Sequence, residues 1–114
     1  MDETLKKQLE ITACKVRLGI LEGVFNAKSG HPGGSLSIAD LLTYLYFAKM
    51  NVYPDKPEEP ERDRLVLSKG HTAPALYATL AEKGFFPKEE LKSLRHIGAM
   101  LQGHPCISIP GVDM

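Results

Sequence analysis

The sequence predicts an α/β fold in a helix-rich form, carrying one parallel strand near residues 64–68. Three observations point there. Apolar residues recur at helical steps of three or four through most of the first half of the chain. The run "RLVLS", Arg64 to Ser68, reads as a β-strand and leads directly into another helical segment, as a parallel strand does in an α/β unit. Long connections flank that run on both sides. A lone strand cannot make a sheet, so residues 1–114 read as a single incomplete domain whose remainder comes from further chain or from a partner.

The first helix is expected from Leu5 to Ala27. Leu5, Leu9, Ala13, Val16, Ile20, Val24 and Ala27 form one apolar stripe, and Ile11, Cys14, Leu18, Leu21 and Phe25 form a second. Two stripes imply a helix covered on more than one side, which also suggests dimerisation. Gly19 and Gly23 cost helix propensity but let a neighbour approach closely, and Gly30 is expected to end the helix. A second helix is expected from about Ser37, with Ser37 and Asp40 as a capping pair and Ile38, Leu41, Leu42, Leu45 and Lys49 on one face. "NVYPDKPEEPERDR" reads as a solvated loop. "TAPALYATLAEKG" is a helix capped by Thr72, with Pro74 in its first turn and Gly84 as its stop. "PKEELKSLR" is a shorter helix, acidic early and with Arg95 late, as the helix dipole favours. From Ile97 onward the tail has no periodicity.

Composition excludes several function classes. The 114 residues carry 14 basic and 14 acidic side chains, so the basic excess of a nucleic-acid or anionic-membrane surface is missing. The polar start "MDETLKKQLE" is not a secretory signal, and no apolar run approaches the ~20 residues of a membrane span. A cytoplasmic setting follows, with Cys14 and Cys106 as free thiols.

Three of the four histidines share one local chemistry. His31 lies in "SGHPGG", His71 in "SKGHTAP" and His104 in "LQGHP", each directly after a glycine. Glycine admits close backbone approach to a ligand, and Pro32 and Pro105 restrict the backbone of the histidines before them. His71 follows the expected strand and precedes a helix start, where α/β folds bind ligands and helix amides favour phosphate. His96, in "RHIG", reads as a solvated residue. A zinc site built on the three histidines competes, although their intervals fit no zinc-finger spacing.

The segments "SGHPGGSLSIADLLTYLYF", "RDRLVLSKGHTAPALYATLAEKG" and "LQGHPCISIPGVDM" together resemble the amino-terminal, pyrophosphate-binding part of transketolase. The resemblance is greatest to the separately encoded amino-terminal subunit of some microbes. It implies a thiamine-diphosphate-binding fold and a thiamine pyrophosphate enzyme that moves a two-carbon ketol unit between sugar-phosphate substrates. It also implies that His31 acts catalytically on donor-sugar hydroxyls and that His104 is catalytic and substrate-binding, bonding the hydroxyl of the ketol fragment. His71 would lie beside the cofactor diphosphate, with Gly33 and Gly34 as cofactor-pocket wall. The family's glycine-rich cofactor loop and its Gly-Asp-Gly segment for a divalent metal, magnesium or calcium, lie outside these 114 residues. So does the pyrimidine-side domain with its activating glutamate. The expected partner is therefore a C-terminal transketolase subunit or domain, in a dimer or heterotetramer, and the chain alone is expected to be inactive. Two alternatives remain open: a dihydroxyacetone synthase-like or other thiamine-dependent ketol transferase, and a helical module that binds a metal or a partner through its histidines.

Overall fold

The Asp2 carboxylate starts the longest helix by accepting the Leu5 amide at 2.7 Å, satisfying one of the donors a helix start leaves open. The computed structural model describes residues 2–27, 32–69, 72–94, 96–102 and 105–113. Helix α1 spans Glu3–Ala27 and α2 spans Pro32–Tyr44. A π-helical turn, Leu45–Lys49, continues α2. Helix α3 spans Ala73–Lys83, and a 3-10 turn runs over Lys88–Ser93.

Helix α3 is the centre of the molecule. Every residue from Thr72 to Ala81 is buried, with α1, α2 and the 3-10 turn packed around it. A helix covered on all sides must carry small or apolar side chains and no unsatisfied polar ones. "APALYATLA" meets that condition, and its Thr79 hydroxyl donates to the Ala75 carbonyl at 2.8 Å. Gly84 ends the helix as expected, at φ 104°. The Gly84 amide reaches the Ala81 carbonyl at 3.1 Å and the Phe85 amide reaches Leu80 at 3.0 Å, the paired closure that a left-handed glycine permits.

The first stripe of α1 is the buried one: Ala13, Val16, Ile20 and Gly23 face the core. Gly19 and Gly23 act as their positions suggest. A Cβ on Gly19 would lie 3.1 Å from the Ala78 Cβ, and one on Gly23 3.2 Å from Leu94, so α3 and the 3-10 turn approach the α1 backbone itself. The second stripe stays in solvent. Leu18 is 67% and Phe25 79% exposed, because no described element reaches that side. Gly30, expected to end α1, lies outside the described residues, as does Arg95.

Four expectations are corrected. Helix α2 begins at Pro32 rather than near Ser37, because proline suits a first helical turn and tertiary packing carries Gly33 and Gly34 into the helix. Ser37 and Asp40 do not form a capping pair: Asp40 pairs with Arg17 of α1, and the Ser37 hydroxyl donates to the Gly34 carbonyl at 2.8 Å. The face expected from Ile38, Leu41, Leu42, Leu45 and Lys49 holds only in part: Leu42 is buried and Ile38 and Leu45 pack against the core, but Leu41 is 54% exposed. The buried side of α2 is Ser35, Ala39, Leu42 and Thr43, and the π turn, closed from the Met50 amide to the Leu45 carbonyl, shifts the register beyond it.

The fourth correction is the strand. Arg64–Ser68 forms none, and none occurs among the described residues. The segment keeps a strand's alternation, Leu65 and Leu67 turned inward and Val66 61% exposed, but no second extended segment is there to pair with it. Its Leu65 amide donates instead to the Asp113 carboxylate at 2.9 Å. The loop before it is pinned at its base: the Asp63 amide donates to the Asn51 carbonyl at 2.8 Å, and the Asn51 amide to the Asp63 carboxylate at 2.6 Å.

The tail lacks periodicity yet belongs to the core through Leu101, Ile109 and Val112. Asp113 holds its end, its other oxygen accepting Arg62 Nε at 3.0 Å. Tyr77 holds its beginning, the phenol donating to the Gln102 carbonyl at 2.6 Å.

Two outcomes follow from this packing. Gly19→Val, which forces a branched side chain between α1 and α3, lowers unfolding free energy by about 1–3 kcal/mol in denaturant titration. The second concerns alkaline pH. Burial pushes the Tyr77 phenol up to about 12 from its usual 10.0. Burial, then the Asp113 carboxylate, raises that of Tyr46 further. A folded-state value above the unfolded one gives stability that is whole below pH ~10 and falls as pH rises from there. Melting temperature therefore drops between pH ~10 and ~12, and Tyr77→Phe removes part of that drop while costing about 1 kcal/mol near neutrality.

Candidate cofactor site

The three histidine motifs fall on the start of α2, the start of α3 and the tail. His31, His71 and His104 themselves lie outside the described residues, so the expected roles of these three side chains rest on the residues beside them. Those neighbours are tied together by direct contacts.

The start of α2 meets the start of α3 through Gly34 and Ser35. A Cβ on Gly34 would lie 2.6 Å from the Thr72 methyl, so only glycine allows this approach. The Ser35 hydroxyl, fully buried, donates to the Thr72 carbonyl at 3.3 Å. Gly33 differs: among the described residues a Cβ there would meet nothing within 4 Å, and the residue is exposed. Of the two glycines expected to form pocket wall, Gly34 is thus packed against Thr72, and Gly33 meets no described neighbour.

Lys69 fastens the same junction. Its ammonium donates to the Gly34 carbonyl at 3.1 Å and to the Ser37 hydroxyl at 3.1 Å. Its own carbonyl accepts the Thr72 amide at 2.9 Å and the Thr72 hydroxyl at 2.7 Å. The sequence leads one to expect that hydroxyl as the cap of α3. Because it turns back to Lys69, α3 begins without a side-chain cap. Two helix starts and an ammonium therefore meet at one place, an arrangement that attracts anions.

The tail joins at the first turns of α3, where Tyr77 holds Gln102, two positions before His104. Beyond it, Cys106 is exposed and free. The Ser108 hydroxyl donates to its sulfur at 3.3 Å and lowers the thiol's pKa. His96 is exposed, one ring nitrogen 3.2 Å from the Asn26 carbonyl, in keeping with the solvated reading. A cleft of about 790 Å³ opens between the loop at Lys56–Arg62 and the tail at Ile107–Asp113. Among the described residues, no group of three or more His, Cys, Asp or Glu side chains is placed to hold a metal, and no helix is long and apolar enough to cross a membrane.

Sequence reasoning missed Lys69, Ser35 and the backward turn of Thr72. Lys69 and Ser35 stand inside the motif segments "SKGH" and "SGHPGGS", but their partners lie more than thirty positions away, where spacing gives no signal.

Residues 8–114 match the family described as "Transketolase, thiamine diphosphate binding domain". Among curated relatives, an apulose-4-phosphate transketolase subunit from Phocaeicola vulgatus is 49% identical over 93% of this chain and 38% of its own length. The 6-deoxy-6-sulfo-D-fructose transketolase subunit SqwG of a Clostridium species is 52% identical over 84% of this chain and 35% of its own. The chain thus spans little more than a third of these relatives. Among solved structures, transketolase from Campylobacter jejuni superposes with a TM-score of 0.88 at 36% identity, covering 100% of this chain and 18% of that one. Transketolase from Leishmania mexicana gives 0.86 at 33% identity, covering 91% and 16%. The expected thiamine-diphosphate-binding fold holds, its helices formed and the expected strand absent among the described residues. The chain belongs to the transketolase family, within its thiamine diphosphate binding domain.

Proposed function

We propose that this chain is the pyrophosphate-side portion of a transketolase that moves a two-carbon ketol unit from a ketose phosphate to an aldose phosphate. The observation that carries the reading is the junction of the α2 and α3 starts. There two of the three histidine motifs are clasped through Gly34, Ser35, Lys69 and Thr72.

The residues present suit a diphosphate. Two helix starts and the Lys69 ammonium favour negative charge, and the open space beside Gly33 leaves room for a ligand against the backbone. Gly33 forms wall, Gly34 holds the two helix starts together beside it, and His71, just before the α3 start, donates to diphosphate oxygens. Thiamine diphosphate, when bound, supplies the carbon nucleophile and electron sink needed to break a carbon–carbon bond. His31 binds donor hydroxyls and accepts or returns their protons; His104 holds the hydroxyl of the transferred fragment, keeping it aligned. The divalent metal that anchors the diphosphate, magnesium or calcium, is assigned to ligands outside this chain. A C-terminal subunit or domain supplies the pyrimidine side and the activating glutamate, completing a dimeric or heterotetrameric cytoplasmic enzyme.

The test uses the protein assembled with that partner, with thiamine diphosphate and magnesium added. A ketose phosphate, or one of the two ketoses named for the relatives, is offered as donor with ribose 5-phosphate or with formaldehyde. Two-carbon transfer to one of these acceptors is expected, and His31→Ala and His104→Ala each lower kcat by about 10²–10⁴. Turnover with formaldehyde alone identifies the dihydroxyacetone synthase-like alternative. No transfer to any acceptor, with zinc retained by the purified protein, identifies the histidine metal module instead.

The two glycines separate stability from binding. Gly33→Ala leaves stability unchanged or raises it by up to about 1 kcal/mol, since alanine favours a helix, yet weakens cofactor binding by filling the open wall. Gly34→Ala lowers stability by about 1–3 kcal/mol because the added methyl meets Thr72. Thermal melts and cofactor calorimetry on the assembled protein distinguish the two.

A further inference from the structure

The geometry points to Lys69 as a positioning residue, which sets the spacing between the α2 and α3 starts and so aligns the two histidine motifs. The inference rests on the ketol-transfer reading for its catalytic consequence, and on the structure alone for its geometry.

One residue binds both helix starts, by different groups. The main chain of Lys69 is fixed to α3, its carbonyl taking the amide and the hydroxyl of Thr72 at 2.9 and 2.7 Å. Its side chain is fixed to α2, the ammonium donating to the Gly34 carbonyl and the Ser37 hydroxyl, each at 3.1 Å. Ser37 closes a triangle by donating its own proton to Gly34 at 2.8 Å. The length of one lysine side chain thus becomes the distance between the two elements.

The partners of the cation argue for geometry over simple charge pairing. Among the described residues the ion pairs are Arg17–Asp40, Arg62–Asp113 and Lys88–Glu82; no carboxylate pairs with Lys69. The ammonium of this half-buried residue, aimed at a carbonyl and a hydroxyl, makes directional, charge-assisted bonds that tolerate little displacement. The Gly34–Thr72 contact beside it has no slack either, so a loosened lysine shifts a packed junction. Misplacement by about 1 Å far from the reacting atoms can cost on the order of 10²-fold in rate.

The experiment compares wild-type, Lys69→Met and Lys69→Arg proteins, each assembled with its partner. Methionine keeps an apolar stem of similar length and removes the donors; arginine keeps charge and donors. Hydrogen exchange is followed at the Thr72 amide, which is bonded to the Lys69 carbonyl, and at the second-turn amides of α2 and α3, alongside kcat, KM and melting temperature. Expected for Lys69→Met is faster exchange, by about tenfold, at those amides alone. With it go a kcat lower by about 10–100-fold, little change in substrate KM, and a nearly unchanged melting temperature. Lys69→Arg recovers most of both losses. Unchanged exchange in Lys69→Met, unchanged kcat despite faster exchange, or no recovery by arginine overturns the proposal. Should the wild-type protein transfer no ketol unit, the functional reading falls, while exchange still decides whether Lys69 sets the spacing.

Discussion

Burial of α3 on every side from Ala73 to Ala81 is the constraint on which the rest of the structure depends. A helix enclosed on every side needs neighbours that come closer than ordinary side chains allow, and three glycines provide that approach. Gly19 brings α1 against Ala78, Gly34 brings α2 against Thr72, and Gly111 brings the tail against Leu80 and Phe85. At Gly111 the backbone also has φ 92°, a conformation that any Cβ disfavours. The glycines cost helix propensity and chain entropy. They are offset by apolar burial around α3, each fully buried leucine or isoleucine contributing about 1.5–3 kcal/mol.

The parts of the fold legible in the sequence are those governed by local rules. The buried stripe of α1 was readable because one buried face imposes one period. Pro74 and Gly84 marked α3 because first-turn and terminal positions have their own backbone demands. What escaped was decided by distant residues. Gly33 and Gly34 read as loop by propensity, yet Pro32 opens α2 and Thr72 requires a glycine there. The run at Arg64–Ser68 has a strand's composition, but a strand is a relation between two segments, and its Leu65 amide found a carboxylate in place of a neighbour. The tail carries no period because Leu101, Ile109 and Val112 enter the core from irregular chain.

The candidate site divides the same way. Its residue types were visible: glycine before each histidine, a helix start after His31 and His71, and enough motif to carry a family resemblance. Its scaffold was not. Ser35 with Thr72, Lys69 with Gly34, and Tyr77 with Gln102 are pairs separated by 37, 35 and 25 positions. No periodicity links them, and only folding reveals that they join the motif segments. Thr72 shows the limit of a local rule: threonine before a helix usually caps it, but here the hydroxyl serves the Lys69 carbonyl instead.

That diversion has an electrostatic consequence. The start of a helix carries roughly half a positive charge when its amides are unsatisfied. Here α3 starts without a side-chain cap, α2 starts beside it, and Lys69 adds a full charge. Nothing in the overall composition announces this, since 14 basic and 14 acidic residues balance across the chain. The Gly34 carbonyl and Ser37 hydroxyl absorb part of the lysine's field, but both are neutral groups. Three like-signed ends held together repel one another, and each repulsion subtracts from stability until an anion arrives. An anion such as the proposed diphosphate would offset that repulsion. Binding energy of that origin grows with the precision of the junction, because separating the helix starts lowers both the repulsion and the attraction for the diphosphate. The glycine that allows the close approach and the lysine that fixes it thus act on the same quantity, the local positive field.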